Sequence, residues 1–189
     1  MVSGLGPMKT TTRATIDDLY RVPEHGKAEI VDGELVLMSP TGGLPGLAAG
    51  AIYRSLHEHA RTKGGGRAYP DNVGFIVDLP RRRSFSPDAG FHPSTAPTMK
   101  FVEGAPVFAV EVRSEGDYGP PAEKAMARKR TDYFAAGTLV VWDVDLLGPD
   151  VVRVHRAGEP QPRVYRRGEL AEAEPAVPGW RMPVDELFE

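Results

Sequence analysis

A mixed-sheet α/β domain, equally describable as α+β, is the fold class the sequence predicts, and three observations predict it. Helix-like and strand-like patterns intermix in the order helix, meandering strands, helix, further strands. Asp32-Gly33 separates two apolar runs, the strongest short-range hairpin signal. Val107 to Arg113 is a near-continuous apolar run, as expected of a central strand covered on both faces. No internal repeat or low-complexity tract interrupts this order.

Taken in chain order, residues 1–13 are expected to form a flexible leader and 14–189 a single domain. Thr15 followed by Asp17 and Asp18 predicts a short capped helix. Lys27 to Met38 forms the hairpin. Ser39 to Gly46 is a Pro/Gly loop, followed by a helix from Leu47 to about Arg61 that Gly64 ends. Strands are expected at Asn72 to Leu79 and around Asp88 to His92, with Arg81 to Ser84 an exposed turn between them. After the central strand, a Gly/Pro stretch leads into a helix from about Ala122 to Ala136, closed by Gly137. Thr138 to Val144, Val151 to His155 and Arg163 to Tyr165 read as strands, and Val184 to Phe188 as a helical turn.

Composition narrows the classes of function. No apolar run approaches the roughly 20 residues that span a bilayer, and the N-terminus lacks a signal-peptide core. Zero cysteines exclude disulfides, thiolate metal sites and cysteine nucleophiles, and point to a reducing cytoplasm. A net charge of −3 provides no global attraction to nucleic acid. Local basic clusters partly offset this: Arg61, Lys63 and Arg67; Arg81 to Arg83; Lys124 with Arg128 to Arg130; Arg163, Arg166 and Arg167. Each reads as well as a solvated face.

Two residues stand out chemically. Strand alternation puts Val107, Ala109, Glu111 and Arg113 on one face, so Glu111 is an acid inside a buried strand, expensive unless paired or bound to a metal. The bland alternative is a salt bridge to an arginine. On the second long helix, Ala122, Met126, Lys129, Tyr133 and Ala136 form the apolar stripe, with Lys129 its only charge. A snorkelling lysine explains this alone, but beside a buried glutamate an inward lysine is the natural counter-charge. Asp88, after Pro87, is by itself an ordinary turn residue. A two-residue turn pairs 31 with 34 and 29 with 36, so Glu29, Val31, Glu34 and Val36 share a face, which solvent exposure explains equally well.

Pro87-Asp88, then Glu111-Val-Arg113 on a strand, then a lysine-bearing helix resembles the PD-(D/E)XK nuclease motif. Further segments narrow the resemblance: Ala28-Glu-Ile-Val-Asp-Gly-Glu-Leu-Val-Leu-Met-Ser-Pro, Ser86-Pro-Asp, Val110-Glu-Val-Arg-Ser, Lys129-Arg-Thr-Asp-Tyr-Phe-Ala-Ala-Gly, Val140-Val-Trp-Asp-Val-Asp and Pro178-Gly-Trp. Spanning nearly the whole chain, they are similar to the Uma family of restriction endonuclease-like proteins. The resemblance implies a restriction-endonuclease-like core, a mixed sheet flanked by helices with the site along one edge. It implies Asp88 and Glu111 as ligands of Mg²⁺ or Mn²⁺, with the Val112 carbonyl a further ligand. Lys129 takes the role of the motif lysine displaced onto the helix, while Arg113 occupies the usual lysine position. Glu29 is the additional N-terminal acid, with Glu34 a lesser candidate. Two departures accompany it. Gly42-Gly-Leu-Pro stands where relatives often carry a histidine, and Ser114-Glu115-Gly116 follows the strand glutamate.

Other signals carry less. The Gly42 to Gly50 loop lacks a phosphate-loop ending. His57 and His59 diverge by about 200° on a helix and cannot share a metal. The function expected is a metal-dependent endonuclease hydrolysing phosphodiester bonds in DNA, with RNA the other nucleic acid to consider, acting as a homodimer. A catalytically weak or inactive nucleic-acid-binding or regulatory module is the alternative, and a purely structural homodimer a third.

Overall fold

Thr15 starts the first element as its residue type dictates. The computed structural model describes residues 13–22, 26–93 and 96–189, so most of the expected leader lies outside the described residues. The Thr15 hydroxyl accepts the Asp18 N–H while the Asp18 carboxylate accepts the Thr15 N–H, a reciprocal cap on α1 (Ile16–Tyr20). The hairpin of β1 (Ala28–Val31) and β2 (Glu34–Leu37) has the expected register, Val31 opposite Glu34 and Glu29 opposite Val36. Asp32 and Gly33 both take positive φ, +53° and +83°, the demand of a tight primed turn.

α2 (Gly43–Lys63) begins four residues before the expected Leu47. Pro45 falls in the first turn, where a missing N–H costs nothing, so the Pro/Gly signal reads as loop although the backbone is helical. Its apolar side buries Ala48, Ile52 and Leu56, and Gly64 closes it at φ +76° with its N–H on the Ala60 carbonyl. Next come β3 (Arg67–Tyr69), β4 (Phe75–Ile76), β5 (Ser84–Phe85), β6 (Ala89–His92), β7 (Val102–Glu103) and β8 (Phe108–Val112). The expected strand 72–79 shrinks to two residues, and β3, β5 and β7 were not anticipated. Elements this short complete no hydrophobic period.

Arg81 to Ser84 is not an exposed turn. It runs beside β1, with Asp32 N–H on the Arg81 carbonyl at 2.6 Å and Arg83 N–H on the Ile30 carbonyl at 3.0 Å. Extended backbone turns alternate side chains to opposite sides, so Arg81 and Arg83 reach solvent while Arg82 is only 5% exposed.

α3 (Pro120–Ala135) leads to β9 (Val140–Val144), β10 (Val152–Arg156), β11 (Arg163–Tyr165), β12 (Leu170–Glu172), β13 (Arg181–Pro183) and a final 3₁₀ turn, Val184–Phe188. Six strands form the main sheet in the order β11-β10-β9-β8-β6-β3. β8 and β9 run parallel, and α3 makes the crossover between them. One face packs Phe108, Val110, Val112 and Trp142 against α2 and the C-terminal Trp180. The other packs Ala109 and Val141 against Tyr133 of α3 and against Phe75 and Phe85 of the small β5-β4-β7 sheet. β8 is therefore covered on both sides, as its run of apolar residues requires.

Leu56 is fully buried and Leu47 is 61% exposed on the same helix. Urea denaturation should therefore show a loss of about 2–5 kcal/mol for Leu56→Ala, and a change within about 0.5 kcal/mol for Leu47→Ala.

Candidate functional site

Glu111 lies on the α3 face of β8, and two residues one turn apart on α3 meet it. Lys129 Nζ donates to Glu111 Oε2 at 2.8 Å, and the Tyr133 hydroxyl donates to Oε1 at 2.7 Å. Both belong to the inward stripe of the helix. Lys129 also reaches Glu29 Oε1 at 2.9 Å, so one ammonium bridges two carboxylates from different sheets. Glu29 is 3% exposed and fully bonded: Ser86 N–H donates to Oε1 at 2.8 Å, and Arg82 Nη1 donates to Oε2. Arg82 Nε in turn donates to Asp132 at 2.8 Å, and its guanidinium lies over the Phe85 ring, which stacks on Tyr133 at 4.0 Å.

Asp88 immediately precedes β6 and fastens β8 on both sides of Glu111. Its N–H donates to the Val110 carbonyl at 3.0 Å, and its Oδ2 accepts the Val112 N–H at 2.7 Å. Oδ1 accepts Lys27 Nζ at 2.7 Å, and Lys27 also pairs with Asp71 at 2.7 Å. The group lies under α3 at the end of the sheet where β6 begins, on interior strands rather than at a lateral edge of the sheet. Asp88, Glu111, Lys129 and Glu29 are thus brought together. Glu34 is exposed at the hairpin turn and stands apart.

Arg113 is also held elsewhere. Its guanidinium forks onto Asp143 at 2.7 and 2.8 Å and bonds Glu123, so it ties the end of β8 to β9 and to the start of α3. Those bonds, the one to Asp143 foremost, hold its pKa far above the usual arginine value. The basic clusters are largely spent in the same way: Arg81 pairs with Asp32, Arg83 with Asp78, Arg166 with Asp150 and Arg167 with Asp185.

Electrostatics assign distinct states to the central groups. Burial lifts the Glu111 carboxyl above its ordinary range; Lys129 opposes the shift, and the charges of Asp88 and Glu29 add to it. Burial pushes Glu29 upward too, but Lys129 and Arg82 outweigh it and hold that carboxyl low. Burial alone would lower Lys129, yet Glu111 and Glu29 raise it and keep it charged. Burial, then the two carboxylates, keeps the Tyr133 phenol protonated and therefore a donor.

Three participants escaped the sequence reading. Lys27 had a readable signal, since it alternates onto the same side as Glu29. Tyr133 had one too, as the only polar tip on the Lys129 stripe apart from Lys129 itself. Arg82 was hidden inside a run of three arginines.

A divalent cation can be judged against this donor set. Asp88, Glu111 and the Val112 carbonyl are all hard oxygens, and Mg²⁺ uses one or two carboxylates with waters completing its shell. No group of three or more acidic or histidine side chains is poised for a metal among the described residues. The set fits a hard, partly hydrated cation and not a dedicated protein cage. Lys27 and Lys129 lie against the same two carboxylates and bring positive charge to them. The Thr41 hydroxyl, 3.0 Å from Ser114 Oγ, brings the loop before α2 up to the end of β8.

A family model described as "Uma2: Putative restriction endonuclease" matches residues 15–185. Among solved structures, a putative nuclease belonging to DUF820 from Anabaena variabilis ATCC 29413 superposes with a TM-score of 0.72 at 16% identity, covering 93% of this chain and 97% of that one. At that identity the likeness establishes the fold. No curated protein matches the chain. No helix among the described residues is long and apolar enough to cross a membrane.

The opposite shifts of Glu111 and Glu29 give opposite pH dependences. Glu29, held low, contributes stability that is present above the ordinary value of 4.5 and lost as pH falls through its folded pKa. Glu111, held high, contributes stability that is present below 4.5 and lost as pH rises through its folded pKa. Denaturation across this range should show wild type losing ground to Glu29→Gln on acidification and gaining ground on Glu111→Gln. Parallel behaviour of the two variants would refute these electrostatics.

Proposed function

The chain belongs to the Uma2 family of putative restriction endonucleases, and from that premise we propose that it is a Mg²⁺- or Mn²⁺-dependent endonuclease hydrolysing phosphodiester bonds in DNA. The observation that supports this reading most is the convergence of Asp88, Glu111, Glu29 and Lys129 from four separate chain segments onto one end of the sheet. A group of this kind, built on packed strands and one helix, is held more firmly than a loop-borne site.

In this reading Asp88, Glu111 and the Val112 carbonyl hold the cation. When bound, it would neutralise the phosphodiester and lower the pKa of the attacking water. Lys129 keeps its proton, so its role is to stabilise charge on the phosphate and to orient the attacking water. Glu29 and Arg82 position Lys129, and the Tyr133 hydroxyl fixes the Glu111 carboxylate by occupying one oxygen. Arg113 serves here as a brace between β8, β9 and α3 rather than as a catalytic group. The working form we assign is a homodimer in the cytoplasm, able to bring one site to each strand of a duplex, with DNA preferred to RNA.

One observation favours a second reading, a nucleic-acid-binding module with a silent site. Both carboxylates expected to hold metal already have lysine partners, Lys27 on Asp88 and Lys129 on Glu111. A cation has to compete with those charges.

One assay separates the readings. Plasmid DNA incubated with the protein and Mn²⁺ should be nicked or cut, and Asp88→Ala and Glu111→Ala should each slow this by at least about a hundredfold. Cleavage that survives both substitutions would sink the assigned site. No cleavage by wild type, together with salt-dependent DNA affinity, would establish the silent module.

A further inference from the structure

Beyond Glu111 the same sheet face carries a second polar recess. It is a cavity of about 380 Å³ bounded by the ends of β8 and β9, by β10 and by the flank of α3. A single water occupies about 30 Å³, so the space suits a polar ligand of several atoms. Glu111 and Asp143 are register partners on β8 and β9, and Lys129 and Arg130 are neighbours on α3. The recess therefore adjoins the candidate site directly.

Its acids are already satisfied. Asp143 accepts both arms of the Arg113 fork, and Glu123 accepts from the same guanidinium. Asp145 Oδ1 accepts the Tyr118 hydroxyl and the N–H groups of Leu147 and Gly148. Its donors are not. Arg130, half-buried, makes no hydrogen bond to any described residue. Arg153 Nη1 is buried without a hydrogen bond, 3.6 Å from Asp145 Oδ2. His155 Nε2 is likewise buried and unpartnered. Buried polar atoms without hydrogen-bond partners are uncommon, and the two here, one of them already in a long ion pair with Asp145, together with Arg130, make the cavity complementary to a ligand rich in acceptors. The local field has the matching sign. After burial itself, Arg130, then Arg153 and Arg113, depress the His155 pKa to about 4, against an opposing effect of Asp143.

We propose that this recess is a binding pocket for a phosphate monoester, held by Arg130, Arg153 and His155. A terminal phosphate offers three acceptor oxygens to two planar guanidinium forks and an imidazole N–H, the geometry in which arginine surpasses lysine. Within the nuclease reading, on which this extension rests, the natural ligand is the phosphorylated end of a nucleic-acid strand, with its neighbouring linkages lying towards Glu111. Free phosphate shares the same chemistry.

Three titrations of the full chain without divalent metal test this: orthophosphate, a short single strand carrying a terminal phosphate, and the same strand without it. The readouts are calorimetry and the side-chain NMR signal of His155. Orthophosphate and the phosphorylated strand should bind and shift His155, and the strand should bind more tightly than orthophosphate if strand ends are the ligand. Arg130→Gln and Arg153→Gln should each weaken binding about tenfold or more. Arg130→Gln removes no hydrogen bond among the described residues, so it keeps the test meaningful if Arg153→Gln fails to fold. Glu111→Gln should abolish cleavage and leave phosphate binding intact, which keeps failure of the nuclease reading distinct from failure of the pocket. An unmoved His155 signal, wild-type affinity in Arg130→Gln, or equal binding of the strand lacking a terminal phosphate would overturn the assignment.

Discussion

A single ammonium group holds together parts of the chain that otherwise have little reason to meet. Lys129 sits between Glu29 and Glu111, one carboxylate from the N-terminal hairpin and one from the central sheet. Taking charges out of water costs several kcal/mol per ion, and only close partners recover it. The three groups therefore stand or fall together. With Lys129 absent, Glu111 would lose its cation and face Glu29, which would keep only Arg82; with either carboxylate absent, the hairpin or the helix loses its electrostatic tie to β8. Arg82 extends the same logic, joining Glu29 to Asp132 of α3, so the hairpin is bound to the helix twice.

This explains why a member of the family carries so many ion pairs at one spot. Asp88, Glu29 and Glu111 are gathered at short range, and gathered acids repel. The chain meets that repulsion with Lys27, Arg82 and Lys129, each drawn from a different segment. The upward displacement of the Glu111 carboxyl is what remains of the repulsion and of burial after these cations have acted. The same arrangement leaves the acids neutralised: each of Asp88, Glu29 and Glu111 has a lysine against it.

Much of this was legible from residue order. The hairpin register followed from Asp32-Gly33, because a two-residue turn leaves no freedom in pairing. Glu111 stood out because it breaks an apolar strand, and Lys129 because it breaks an apolar helical stripe; each anomaly then proved to be the other's partner. The role of Asp88 rested on resemblance, since nothing local distinguishes it from any aspartate after proline. Its two-sided grip on β8 is a tertiary fact. The partners of Arg113 were hidden for a related reason. Alternation put it on the correct face, yet Asp143, thirty residues away, captured it. Arg82 was obscured because three consecutive arginines look solvated, and only the pairing of that segment with β1 separates the middle one from its neighbours. The early start of α2 was hidden by Pro45, whose meaning depends on its place within a turn.

The hairpin belongs to its own two-stranded sheet, packs Ala28 and Ile30 against Leu19 and Val22, and bonds the rest of the domain through Glu29 and the Arg81 to Ser86 segment. Its consequence is one of timing during synthesis. Glu29 emerges from the ribosome a hundred residues before Lys129, and Tyr133 follows later still. No growing chain shorter than this can assemble the acids and their cations. A nascent fragment ending before Lys129 consequently lacks the cation that joins Glu29 to Glu111, so this cluster of charges closes only after most of the protein has been made.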